Sequence, residues 1–157
     1  MAVMANESGF AWVEAGMESV LEELRLLEPI FHTRAFGMTA AERERRVAAE
    51  YWEVGASGRR YSRDFIMRLL AETPPVDAEI AGWRCWDFGL RTMGAETYLL
   101  TYTLDQAGRI TRRATVWQKT GEGWRILYHQ GTVVTGEDPF DSPPSPTRPR
   151  QVDTRPA

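Results

Sequence analysis

A single cysteine, Cys85, stands in the whole chain of 157 residues. One thiol excludes an internal disulfide and a cysteine metal knot, and its place between Trp83 and Trp86 reads as a buried, inert group. Histidine is nearly as scarce, with His32 and His129 the full complement. No apolar run approaches the roughly 18 residues that a membrane-spanning helix needs. Residues Met1 to Phe10 lack the basic and apolar regions of a secretory signal. Positive charge is not in excess either. A net charge of −3 argues against nucleic acid or an anionic membrane as the main partner. The run Arg43-Glu44-Arg45-Arg46, flanked by Glu42 and Glu50, reads as a solvated helix face. Metal-ligand spacing, a nucleophile elbow and a dinucleotide fingerprint are all missing, so no cofactor or metal is expected. Gly55-Ala56-Ser57-Gly58 lacks the lysine and the strand–helix context of a phosphate loop. These absences leave a soluble, cytoplasmic protein of one domain as the expectation.

What is present is a change of period. Met17, Val20, Leu21, Leu24, Leu27 and Phe31 recur at helical spacing, predicting an amphipathic helix that ends near Pro29. Glu14, Glu18, Glu22 and Glu23 lie in its early turns, at the positive end of the helix dipole. Thr39-Ala40-Ala41-Glu42 is a capping box opening a second helix to about Glu50. Tyr51 to Val54 and Arg59 to Tyr61 form a short hairpin about a four-residue turn. Ser62, followed by Asp64, caps a third helix with Phe65, Ile66, Leu69 and Leu70 on its core face, which Thr73-Pro74-Pro75 stops.

From Val76 the period becomes two, predicting strands over about 77–90, 95–105, 109–119 and 124–134 with short links between them. Three helices packed on the concave face of a strongly curved antiparallel sheet make an α+β domain, cone-shaped with a central cavity. The domain is expected to occupy residues 1–136. Six of the nine prolines fall in Pro139 to Pro156, so residues 137–157 read as a Pro-rich, disordered tail.

Glu53-Val54-Gly55-Ala56-Ser57-Gly58-Arg59 and the Trp117…Trp124…His129-Gln130-Gly131-Thr132 hairpin, set in this element order, resemble the nuclear transport factor 2-like superfamily. The superfamily includes ketosteroid isomerase, scytalone dehydratase and SnoaL-like polyketide cyclases, and the nearest group is domain of unknown function 4440. The resemblance covers roughly residues 17–134. It implies the cone-shaped fold and a homodimer formed through the outer face of the sheet. Similar isomerases carry a base carboxylate at the end of the first strand, where this chain has Val54-Gly55-Ala56-Ser57. Glu53 is the nearest acid, and period-two geometry could turn it to the opposite face.

The hairpin itself proposes a site. An even-numbered loop from Thr120 to Gly123 sets Lys119 against Trp124. Arg113, Thr115 and Trp117 then share a face with Ile126, Tyr128 and Gln130, and His129 falls on the other. With Tyr102 from the preceding strand, that first face would line the cavity. Its donors and acceptors would fix the carbonyl or anionic group of a mainly apolar small molecule. Arg113 could instead pair with Glu53 or Asp87. Three acid–base candidates stand: Glu53, Asp87 within the apolar run Trp83 to Leu90, and His129. The alternatives for Asp87 and His32 are an ion pair with Arg84 or Arg91, and a solvated or capping role. Three functions remain open: a small-molecule-binding domain with no reaction assigned; a proton-transfer isomerase, dehydratase or cyclase; and a protein-interaction module with a filled cavity.

Overall fold

The computed structural model describes residues 4–5 and 10–139. The chain runs β1 (Met4–Ala5), β2 (Trp12–Val13), α1 (Glu18–Arg25), α2 (Ala40–Arg46), β3 (Val47–Val54), β4 (Arg60–Ser62), α3 (Arg63–Glu72), β5 (Arg84–Gly94), β6 (Thr97–Gln106), β7 (Arg109–Thr120) and β8 (Gly123–Val133). The strands form one open sheet in the order β1-β2-β5-β6-β7-β8-β3-β4. Its centre, β5 to β8, is an antiparallel meander, and parallel joins attach β2 to β5 and β3 to β8. The fold class is the α+β arrangement expected. The tail reading falls almost wholly on residues 140–157, outside the described residues, although Asp138 at its start pairs with Arg112 at 3.0 Å.

Local chemistry explains the helix starts. Thr39 accepts from the Glu42 N–H while the Glu42 carboxylate takes the Thr39 N–H, and Ser62 accepts from the Phe65 N–H. Three boundaries differ from expectation. Past Arg25 the chain tightens into turns, with Leu27 and Glu28 donating three residues back, and Pro29 has no N–H to continue a helix. The second helix stops at Arg46, because the chain from Val47 pairs with β8, where Val47 faces Ile126. Tertiary pairing here overrides helical propensity. Residues 77–82 are a turn rather than strand, since the Asp77 side chain accepts the N–H groups of Glu79 and Ile80.

The core forms where the inner face of the sheet meets the helices and turns. Leu24, Leu27, Ile30, Phe31 and Phe36 pack there against Leu90, Leu100, Leu104, Trp117 and Ile126. Arg43 is a correction: it is buried, not part of a solvated helix face. Its side chain turns back beneath the preceding loop and donates to the carbonyls of Gly37 and Met38.

Candidate functional site

Strand register decides which side chains meet. Near its turn the β7–β8 hairpin pairs as the sequence predicts, with Lys119 opposite Trp124 and Trp117 opposite Ile126. Between Val116 and Trp117 the register shifts, and Val116 faces Tyr128, Thr115 faces His129 and Arg113 faces Gly131. A bulge of one residue exchanges the faces beyond it. The expected face is therefore corrected: His129 joins Arg113, Thr115 and Trp117 on the inner wall, while Tyr128 and Gln130 turn outward. Tyr128 donates to Gln130 there and sets its ring edge-on to Trp52. Glu53 is corrected in the same way. It lies opposite His129 in the β3–β8 pairing and so belongs to the inner row.

The inner wall centres on a residue that sequence reasoning passed over. Glu28, in the turn after α1, is 4% exposed. Its carboxyl accepts the Tyr102 hydroxyl at 2.6 Å, the Trp117 Nε1–H at 3.1 Å and the Ile30 N–H at 3.0 Å. Burial pushes this carboxyl above its ordinary range, against the pull of these donors and of Thr115.

Arg113 lies across Gly131, where an added Cβ would stand 3.2 Å from the guanidinium carbon. Glycine is needed there for the close approach. The guanidinium donates to Thr111 at 2.8 Å and Gln106 at 3.3 Å, and it faces His129 Nε2 at 3.4 Å. Among the described residues no carboxylate lies within ion-pairing distance of it. The expected alternative, a pairing of Arg113 with Glu53 or Asp87, is not the arrangement found.

These contacts fix a direction. An arginine N–H only donates, so His129 Nε2 accepts, and the ring proton of the neutral imidazole sits on Nδ1. Nδ1 lies 2.8 Å from the Thr115 hydroxyl oxygen. Thr115 accepts that proton, which leaves its own hydrogen for the Glu28 carboxyl. A protonated His129 would oppose two N–H donors at Nε2. Burial, with the Arg113 and His32 charges adding to it, pushes the His129 pKa down to about 3.

Around these hydrogen bonds stand buried Tyr51 and half-buried Glu53, Cys85 and His32. Tyr51 donates to the Glu53 carboxyl. Burial raises the Glu53 pKa, and the Tyr51 hydrogen bond and the Arg113 charge draw it part of the way back. Burial, with the Glu28 charge, drives the Cys85 thiol up to about 12, consistent with an inert group. His32 is neither freely solvated nor a helix cap. Its Nδ1 lies 2.8 Å from the Val76 carbonyl and its ring meets Trp83 edge-on.

Asp87 occupies a bulge in β5 at φ 57° and lines a different feature. This is a groove of about 430 Å³ to which the outward-facing Thr101, Thr103, Arg112, Gln130 and Thr132 contribute, with Tyr102 and Arg113 also in its lining. The arginines expected as partners for Asp87 are engaged elsewhere: Arg84 pairs with Asp105 at 2.9 Å and Arg91 stacks on Trp12. Among the described residues no group of three or more His, Cys, Asp or Glu side chains could hold a metal ion. No described helix is long and apolar enough to cross a membrane.

No family model and no curated protein sequence matches the chain. Solved structures do. An NTF2-like protein from Cytophaga hutchinsonii superposes with a TM-score of 0.54 at 11% identity, covering 77% of this chain and all of that one. A protein of unknown function from the DUF3225 family of Pectobacterium atrosepticum gives 0.56 at 19%, covering 75% and 93%. An uncharacterised protein with a cystatin-like fold from Caulobacter vibrioides gives 0.53 at 13%, covering 78% and 92%. At such identities the likeness carries the fold and not the chemistry. The open curved sheet with three helices on its inner side is the NTF2-like, cystatin-like α+β fold.

Proposed function

We propose that this protein binds a small, mainly apolar molecule through a carboxylate or carbonyl group held by Arg113 on the inner wall. The observation that carries this reading is the guanidinium itself. It is half-buried, packed flat on Gly131 and, among the described residues, held by neutral partners alone, so its charge remains available to a ligand oxygen. Half-buried Phe88, stacked on Tyr102, and Trp83 supply apolar surface nearby. Tyr102, Thr115 and Trp117 support the site from behind, through Glu28, rather than by touching the ligand. The same reading places the chain beside the SnoaL-like or domain of unknown function 4440 group, on the resemblance of its Glu53–Arg59 and Trp117–Thr132 segments.

Proton transfer is the second reading, favoured by one observation. Glu53 carries a carboxyl with a raised pKa in the field of Arg113, which suits a general base acting on an acidified C–H or O–H. His129 suits that task less well, since both its ring nitrogens are engaged. Asp87 stands on the other side of the sheet.

The test is native mass spectrometry of protein purified from its own cells, with Arg113→Met beside the wild type. Methionine keeps most of the aliphatic packing and removes the donors. A retained mass on the wild type that is lost from a normally melting variant is expected, a loss of about 1.5–3 kcal/mol in binding. The same mass on both proteins would refute the role of Arg113.

A further inference from the structure

A second guanidinium, more deeply placed than that of Arg113, stands apart from the inner wall. Arg43 of α2 is 8% exposed. Its two hydrogen bonds both leave from Nη1, to the Met38 carbonyl at 3.1 Å and the Gly37 carbonyl at 3.4 Å. Its Nε is buried with no partner at all, the single such side-chain atom among the described residues. Nη2 has no described partner either but is not enclosed, so it is the atom a ligand can reach. No described carboxylate pairs with the side chain, and a largely buried charge without a counter-ion is costly to the fold.

Arg43 lines a pocket of about 430 Å³ between the loop after α1 and the end of α3. The other charged groups in that wall are already satisfied. Arg34 donates to Asp77 at 3.1 Å, the other Asp77 oxygen takes two backbone N–H groups, and His32 is bound to the Val76 carbonyl. The rest of the lining is largely apolar: Phe31, Met38, Leu70, Pro74, Pro75 and Val76. Met38 and Val76 are 70% and 51% exposed, so apolar surface is left open at the rim.

One uncompensated cation inside an apolar pocket defines a ligand class. A dianion such as a phosphate would need more donors than Arg43 offers, and Asp77 in the wall would oppose it. A neutral molecule would leave the guanidinium charge unbalanced. We propose that this pocket is a binding site for a small monocarboxylate whose carboxyl meets the Arg43 guanidinium and whose short apolar body lies against Met38, Leu70 and the Pro74-Pro75 wall. The volume of about 430 Å³ lies near the lower end of small-molecule sites and takes a body of roughly six to ten heavy atoms with room to spare. The site owes nothing to Arg113 and stands whether or not the inner wall binds a ligand.

The experiment is calorimetric titration of the full chain with hexanoate, benzoate and the uncharged hexanamide, on four proteins. These are the wild type, Arg43→Met, Ala71→Trp and Arg113→Met. Ala71 is exposed on α3 and lines the pocket, so tryptophan there fills the space without entering the core and stands in if Arg43→Met fails to fold. Hexanoate or benzoate should bind the wild type and Arg113→Met alike. Binding should fall about tenfold or more in Arg43→Met and Ala71→Trp, and hexanamide should bind about tenfold more weakly than hexanoate. Three results would overturn the assignment: no binding of either carboxylate at about 10 mM, binding to both pocket variants as tight as to the wild type, or a loss confined to Arg113→Met. The last would place the carboxylate on the inner wall instead.

Discussion

His129 offers the sharpest test of the inner wall, because its environment makes a quantitative claim about stability and pH. The imidazole is 3% exposed, and its two nitrogens face the Thr115 hydroxyl and an Arg113 N–H. Its ordinary pKa of 6.5 falls to about 3 in the folded protein. The unfolded chain therefore takes up a proton near pH 6.5 that the folded chain refuses. Stability from this group is complete above pH 6.5 and is lost as pH falls toward the folded value. The slope approaches about 1.4 kcal/mol per pH unit. Two units below the unfolded pKa the loss is about 3 kcal/mol, and burial leaves little solvent screening to discount it.

The perturbation is His129→Gln. The glutamine amide accepts from Arg113 or donates to Thr115 and has no proton to take up. Urea unfolding of both proteins at about pH 7.5 and about pH 4.5 gives the two differences. Glu28 and Glu53 also titrate, with the opposite sign. Their folded pKa values are raised, so their effect is to weaken the fold as pH climbs from the ordinary carboxyl value of 4.5. They do so in both proteins and largely drop out of the comparison. At the higher pH His129→Gln should be the less stable by about 1–2 kcal/mol, the scale of one imperfect buried hydrogen bond. At the lower pH the balance should move by about 3 kcal/mol toward the glutamine protein. A difference that stays the same at both pH values would refute the reasoning, since it would mean that the folded protein protonates His129 freely.

Glu28→Leu should cost about 3–5 kcal/mol, because it strands the buried Tyr102 hydroxyl and Trp117 N–H, whereas Glu28→Gln keeps an acceptor and should cost less than half as much. Chemical denaturation of the pair checks it, and equal losses would mean that volume, not hydrogen bonding, is what Glu28 supplies. On the outer face Leu99, Val116, Tyr128 and Trp52 form an apolar row across four strands, and we propose that two copies of the chain meet there. Sedimentation at micromolar concentration should find a dimer that Val116→Lys converts to monomer. A wild type that sediments only at 17.9 kDa rules the dimer out.

The helices and the meander were legible because each rests on local chemistry. Thr39 and Ser62 cap the elements they were expected to cap, and the two-residue loop at Gly121-Glu122 pairs Lys119 with Trp124. The site was half legible. Alternation brought Arg113, Thr115 and Trp117 together, and Tyr102 faces Arg113 across the next strand pair. Beyond the shift at Val116 alternation failed, since a bulge inserts a residue without leaving a composition signal. Tyr128 and Gln130 then exchanged places with His129. Alternation could not place Asp87 for a related cause: its positive φ sits in a second bulge, which sets it on the groove side.

Glu28 shows a different limit. The run Leu26-Leu27-Glu28-Pro29-Ile30-Phe31 holds one acid among apolar neighbours, and that was the available signal. Helical spacing treats such an acid as a solvent-facing position on the last turn. It is buried because the helix stops first, at Arg25, and the turn that follows carries residue 28 inward toward the wall. No local rule supplies its partners, which lie 74 and 89 residues further along the chain. Without Tyr102 and Trp117 the carboxyl would be a liability in the core; with them it ties the inner face of β6 and β7 to the turn after α1. The same tie orients Thr115, and through it His129 and Arg113. An acid that reads as surface in the sequence thus anchors one end of a hydrogen-bonded chain whose direction Arg113 fixes from the other.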